Sequence, residues 1–200
     1  IKGETMSEKP GHLNFTRRQP YGVVAKINPF NHPLRFCAEK SAAALAAGNT
    51  VVVTASEQAP LSSLRFAEIC EQVLPAGVVN VLTGNAECGD AMVRHPDVRR
   101  VGVVGSVATG IAISKAAAED LTHVSLELGG KNPIIIFPDA DPKKAASYAV
   151  KGMNMSRQGQ SCSSTSRVLV HHDLHDTVIE EMIKLVENLP IGLPRIETNE

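Results

Sequence analysis

Short β-branched runs, each followed by a segment of helical spacing, set what this chain can fold into. The β-runs are Tyr21 to Ile27, Thr50 to Thr54, Val78 to Leu82, Val101 to Val104 and Val124 to Leu128. Between them Leu34 to Ala47, Leu61 to Val73, a stretch around Gly89 to Arg94, and Ala108 to Ala118 read as helices. Gly48 stops the first helix and Leu74-Pro75-Ala76-Gly77 breaks the second. Thr50-Val51-Val52-Val53-Thr54 lacks any polar alternation, as befits a strand covered on both faces. This order predicts an α/β domain with a mostly parallel open sheet and helices on both faces. After Gly129-Gly130 come a strand at Pro133 to Phe137, a helix at Pro142 to Met153 and an irregular stretch to Ser166. A strand at Arg167 to Val170 and a helix at Leu174 to Asn188 follow. The expected organisation is a connecting segment over 1–20, a first domain over 21–130, and the truncated start of a second over 131–200.

Charge and composition exclude several classes of function. Lysine and arginine number 20 against 21 acids, so a net charge of −1 gives no global field to gather nucleic acid or anionic lipid. Aromatics are 4% with no tryptophan, too sparse for a base-stacking platform, and no nucleic-acid partner is expected. Apolar runs such as Ala42 to Ala47 are far too short for a bilayer, and Ile1 to Pro10 is polar, so neither a membrane partner nor a signal peptide is expected. Cys37, Cys70, Cys88 and Cys162 are widely spaced, without a metal or disulfide pattern. Reduced thiols, a cytoplasmic location and no metal follow as expectations. His171, His172 and His175 lie where a strand meets a helix and read as solvated turn residues. The missing initial methionine and the polar ending Pro194 to Glu200 suggest a piece of a longer protein.

An open parallel sheet binds ligands at the carboxyl ends of its strands, where helix N-termini favour phosphate. Gly105-Ser106-Val107-Ala108-Thr109-Gly110 follows a strand and opens a helix there. It is neither a dinucleotide G-x-G-x-x-G nor a Walker loop, so its glycines either admit a phosphate or ease strand-to-helix packing. Glu57, just beyond the second strand, either accepts hydrogen bonds from a ribose diol or is a solvated carboxylate in a first helical turn. Cys162 lies among small polar residues in Gly159-Gln160-Ser161-Cys162-Ser163-Ser164-Thr165-Ser166, where a thiol is accessible and suited to act as nucleophile. Cys37 and Cys70 fall on apolar helix faces and Cys88 in a turn. Glu127 is a carboxylate in the apolar strand end Leu126-Glu127-Leu128, and if buried there it requires a partner or a task. Asn31, held in the stiff turn Pro29-Phe30-Asn31-His32-Pro33, either aims its amide for catalysis or caps the following helix.

Pro29-Phe30-Asn31-His32-Pro33, Ala47-Gly48-Asn49-Thr50-Val51-Val52-Val53 and Leu74-Pro75-Ala76-Gly77-Val78-Val79-Asn80 form an ordered set with Gly105-Ser106, Leu126-Glu127-Leu128-Gly129-Gly130-Lys131 and Gly159-Gln160-Ser161-Cys162. In order and spacing this set resembles the aldehyde dehydrogenase superfamily, from about Gly11 to the chain end. The resemblance implies a Rossmann-like α/β fold, an open parallel sheet with helices on both faces, plus the start of a second α/β catalytic domain. It implies an NAD(P)-dependent enzyme that oxidises a small-molecule aldehyde to a carboxylic acid, and a homo-oligomeric parent. Cys162 would attack the aldehyde, Asn31 would stabilise the oxyanion beside the Cys162 backbone N–H, and Glu127 would serve as general base. Ile27, Asn28, Pro29 and Phe30 would wall the cofactor crevice, Gly105 and Ser106 would meet the pyrophosphate, Glu57 the adenosine ribose, and Leu128 and Gly129 the nicotinamide, with Thr109 and Gly110 also among the cofactor-binding residues.

One position departs from the family pattern K-P-x-E: the chain reads Thr54-Ala55-Ser56-Glu57. Thr54 replaces a lysine that donates to the ribose, so NAD is expected to be preferred through Glu57 but held loosely, with NADP the other possibility. A noncatalytic dinucleotide-binding or structural relative is the alternative reading, and the joint presence of Asn31, Glu127 and Cys162 argues against it. Glu127 likewise argues against an acylating relative that passes its thioester to coenzyme A.

Overall fold

The computed structural model describes residues 2–6 and 9–192, so the polar ending Pro194 to Glu200 lies outside the described residues. Contacts divide the chain into two compact units after Leu128. The first opens with two short strands, β1 (Thr5–Met6) and β2 (Asn14–Phe15), paired antiparallel within the segment that the sequence reading left as a connection. Two-residue strands carry too few side chains to show a period, which is why this ribbon escaped notice.

The body of the first unit runs β3 (Val23–Ile27), α1 (Pro33–Ala46), β4 (Thr50–Ala55), α2 (Leu61–Val73), β5 (Val79–Thr83), α3 (Ala86–Val93), β6 (Val98–Gly105), α4 (Val107–Ala118) and β7 (His123–Leu128). All five strands β3 to β7 are parallel, in the order β5-β4-β3-β6-β7. The fold is therefore the expected α/β Rossmann-like sheet. Chain direction across the sheet reverses between β3 and β6, which makes their carboxyl ends a topological switch point. On one face Ala25, Val101 and Val103 pack against Met92, Val93, Ile113, Ala116 and Ala117 of α3 and α4. On the other, Val51 and Val53 pack with Cys37, Ala44, Leu45 and Phe66 of α1 and α2. Burial of each such valine contributes about 1.5–3 kcal/mol, more than helix propensity supplies, so sheet-to-helix packing holds the unit.

Helix starts follow side-chain caps. Asn85 accepts from the Glu87 amide at 3.0 Å, and Ser106 Oγ from the Thr109 amide at 3.1 Å. The Asn85 cap starts α3 at Ala86, ahead of the expected Gly89, and so carries Cys88 into a helix rather than the expected turn. β6 likewise extends to Gly105.

The second unit contains β8 (Pro133–Ile136), α5 (Pro142–Gly152), β9 (Arg167–Val170) and α6 (His175–Glu187). β8 and β9 pair in parallel, and Ile136, Ala145, Ala146 and Val178 form their core with the two helices. Among the described residues no helix is long and apolar enough to cross a membrane.

Candidate active site

A cleft of about 640 Å³ opens at the switch point of the first unit. Ile27, Asn28 and Pro29 line it from the end of β3, Thr54 and Glu57 from the end of β4 and just beyond it, and Gly105, Ser106 and Thr109 from the end of β6 and the first turn of α4. Its size lies within the range of cofactor sites, and α4 presents its first turn to it, the end of a helix that favours an anion.

Gly105 at the end of β6 and Gly110 within α4 have different surroundings. A Cβ on Gly105 would meet nothing closer than Thr109 at 3.7 Å, and its backbone φ is not positive, so neither packing nor conformation requires glycine there. On Gly110 a Cβ would lie 2.8 Å from Leu128 Cδ1. Gly110 is thus a buried packing glycine that admits the Leu128 side chain against α4, and neither Gly110 nor Leu128 lines this cleft.

At the end of β4, Thr54 is 5% exposed and its hydroxyl reaches the Lys26 carbonyl at 3.5 Å. Its side chain is turned inward, leaving Glu57 as the exposed polar group on that side. Glu57 occupies a turn four residues before α2 begins, so it is not a first-turn helix carboxylate. The cleft also includes Gly84 and Asn85 from the β5 to α3 connection and Gly89 and Asp90 from α3 itself, which sequence reasoning missed. The pair Gly84-Asn85 at a strand end, followed by Glu87, was the available signal of a helix start there.

Asn31 is half-buried in the bend before α1 and is outside the cleft lining, as is the exposed Phe30. The N-cap position of α1 is His32, with no side-chain capping bond, so Asn31 does not cap this helix. Glu127 differs from expectation. Its side chain is 65% exposed, and its carboxylate accepts from Lys40 Nζ at 3.1 Å. β7 is an edge strand, and Glu127 points to the face opposite the α3 and α4 core, so no desolvation has to be offset.

In the second unit, Cys162 is the exposed thiol, Cys37 and Cys70 are buried, and Cys88 is half-buried. Burial, with Cys37 nearby, pushes the Cys70 thiol above its ordinary value and keeps it protonated. The Cys162 loop is irregular yet pinned from beneath. Asn132 Nδ2 donates to the Cys162 carbonyl at 2.7 Å and to the Ser164 carbonyl at 3.1 Å. Ser164, 5% exposed, donates to the Met153 carbonyl at 3.0 Å. The left-handed backbone at Gly159, φ 71°, turns the chain into the loop. These bonds fix the backbone and leave the thiol outward. Gly129 stands at the start of this unit, with open space where a Cβ would be.

His171, His172 and Asp173 bring one potential ligand atom each within 4.8 Å of one another. All three are consecutive on the turn before α6, and His171 Nδ1 already accepts from the Asp173 amide at 3.4 Å.

A parallel sheet with a cleft at its switch point is an arrangement shared by dinucleotide-dependent enzymes. The sequence profile of the Aldehyde dehydrogenase family matches residues 1–200, and the chain belongs to that family. It is 49% identical over 175 residues to aldehyde dehydrogenase tropH of Talaromyces stipitatus, covering 88% of this chain and 34% of the relative. It is 43% identical over 194 residues to the Bacillus subtilis protein DhaS, named as a putative aldehyde dehydrogenase, covering 96% of this chain and 39% of the relative. Among solved structures, the NAD+ complex of an aldehyde dehydrogenase from Bacillus cereus superposes with a TM-score of 0.91 at 43% identity, covering 96% of this chain and 39% of that one. The chain thus spans between a third and two fifths of the length of these relatives.

Proposed function

We propose that the full-length protein containing this chain oxidises an aldehyde to a carboxylic acid with NAD+, through a covalent intermediate on Cys162. The observation that carries this reading is the exposed Cys162 thiol on a loop whose backbone is fixed by Asn132 and Ser164. The Cys162 thiolate adds to the carbonyl carbon and gives a thiohemiacetal. Its oxyanion takes hydrogen bonds from the Asn31 side-chain amide and the Cys162 backbone N–H. NAD+, when bound, would supply the hydride acceptor. Loss of hydride leaves a thioester, and Glu127, oriented by Lys40, takes a proton from the water that hydrolyses it. The carboxylic acid departs and the thiolate is regenerated. Iodoacetamide labelling of the full-length protein tests the assignment: inactivation should track alkylation of Cys162. Inactivation that tracks Cys37, Cys70 or Cys88 while Cys162 stays free would refute it.

The cleft fits the adenine dinucleotide. Gly105, Ser106 and Thr109 would hold the pyrophosphate and Glu57 the adenosine ribose, where its charge would disfavour a 2′-phosphate. Because a Cβ at Gly105 would make only ordinary van der Waals contacts within the protein, Gly105→Ala should leave the melting temperature of the full-length protein within about 1 °C, while weakening NAD+ about tenfold or more. Fluorescence titration with NADH beside thermal denaturation reads both. Unchanged affinity would place the pyrophosphate elsewhere.

Thr54 has the opposite expectation. Thr54→Lys should tighten NAD+ by about 0.5–1.5 kcal/mol, provided that the new stem turns outward into the cleft and gains one hydrogen bond. Glu57→Gln should narrow the preference for NAD+ over NADP+. A parent that binds NADP+ more tightly than NAD+ would overturn the assignment of Glu57.

A further inference from the structure

The aldehyde has to lie where Asn31 reaches its oxygen and where Glu127 delivers water to its carbon, and both groups are tied to α1. Asn31 sits in the bend that leads into α1. Lys40, near the middle of the helix, reaches the Glu127 carboxylate at 3.1 Å, so the stretch of α1 between these two points flanks the path of the substrate. That stretch is charged. Arg35 Nε donates to Glu39 Oε2 at 2.8 Å, and Glu39 Oε1 lies 3.6 Å from Lys40 Nζ. Arg35, Glu39, Lys40 and Glu127 thus form one continuous run of alternating charge, from the start of α1 to the carboxylate assigned as base.

The run is uneven in what it leaves over. Each carboxylate oxygen of Glu39 faces a cation, and the Arg35 hydrogen bond, ahead of the charges of Arg35 and Lys40, lowers its pKa and keeps it ionised and occupied. Lys40 is shared between Glu39 and Glu127. Arg35 is engaged through Nε alone, so among the described residues both terminal nitrogens of its guanidinium are unused, and the side chain is 63% exposed. The surplus donors are therefore cationic. A guanidinium presents its terminal N–H groups as a planar fork that fits a carboxylate in two parallel bonds, a match that an uncharged group does not copy.

We propose that Arg35 determines substrate specificity, and that the substrate is an aldehyde carrying a carboxylate, an ω-oxo acid whose acid end is taken by the terminal nitrogens of Arg35. The inference rests on the reaction proposed above and adds to it the chemical class of the aldehyde. Only the aldehyde end reacts, between Asn31 and Glu127, so the product is a dicarboxylic acid. A helical rise of about 1.5 Å per residue sets Arg35 about 7–8 Å along α1 from Lys40, which calls for several carbons between the two ends rather than one.

Steady-state kinetics of the full-length protein with NAD+ tests it, using ω-oxo acids from oxobutanoate to oxoheptanoate, each beside its methyl ester. The ester keeps the chain and removes the charge. In the wild type the best oxo acid should exceed its ester about 10- to 100-fold in kcat/KM, chiefly through KM, as charge-assisted hydrogen bonds to a remote group provide. Arg35→Met should bring that ratio below about threefold, and Arg35→Lys, which keeps the charge without the fork, should hold an intermediate ratio. Glu39→Gln should raise the ratio, because it withdraws a like charge from the path of the acid. A wild type that oxidises neither acids nor esters overturns the assigned reaction and the inference with it. One that oxidises acid and ester alike at every length overturns the role of Arg35 alone. A preference that survives Arg35→Met, or that falls in Glu39→Gln, does the same.

Discussion

Replacing Cys162 with alanine in the full-length protein should lower aldehyde oxidation at least about 10⁴-fold, while NAD+ affinity stays within about twofold. The asymmetry follows from where the groups lie in the chain. The cleft that would hold the cofactor is lined entirely by the first unit, whereas Cys162 belongs to the second. Cys162 is exposed on a loop held by backbone carbonyl contacts from Asn132, and none of those bonds uses the thiol. Loss of the sulfur should therefore leave the loop intact. A melting temperature unchanged within about 2 °C would confirm that the missing rate is chemical rather than structural. An alanine variant with more than about 1% of the parent rate would contradict the assigned nucleophile.

Glu127 and Asn31 should fail at different steps. With Glu127→Gln, thiohemiacetal formation and hydride loss need no base for water, so about one equivalent of NADH should appear per site before turnover stalls. Asn31→Ala should slow that first equivalent itself by about 10²- to 10³-fold, the usual loss on removing one oxyanion donor. Rapid-mixing absorbance at the NADH band separates the two. Equal slowing of the burst and of the steady state in both variants would contradict the division of labour. Lys40→Met offers a control on the Glu127 arm, since it removes the cation bonded to the carboxylate at 3.1 Å and leaves the base in place. It should slow the steady state more than the burst.

The strands of the first unit were legible because Thr50 to Thr54 and Val101 to Val104 are buried without alternation, and a helix pattern follows each. Connections were harder to read. The β5 to α3 turn contributes Gly84 and Asn85 to the cleft, yet these residues differ little from ordinary loop residues until the fold places them at a strand end. The Gly105 to Gly110 turn shows a related limit. Sequence could not tell a glycine facing the cleft from one facing Leu128, because the distinction depends on which side of α4 meets β7. The premise that Glu127 was buried failed for a reason that the sequence held. His123-Val124-Ser125-Leu126-Glu127 alternates polar and apolar residues, the mark of a strand with one open face, and that face is the one that carries Lys26 and Arg100.

The account rests on a covalent bond at one sulfur, and trapping that bond is its most direct test. Full-length Glu127→Gln mixed with NAD+ and an aldehyde substrate, quenched in acid and digested, should yield the peptide containing Cys162 heavier by the acyl group, with the adduct removed by hydroxylamine. An acyl group found on Cys37, Cys70 or Cys88, or a Cys162 peptide that stays unmodified while NADH accumulates, would contradict it.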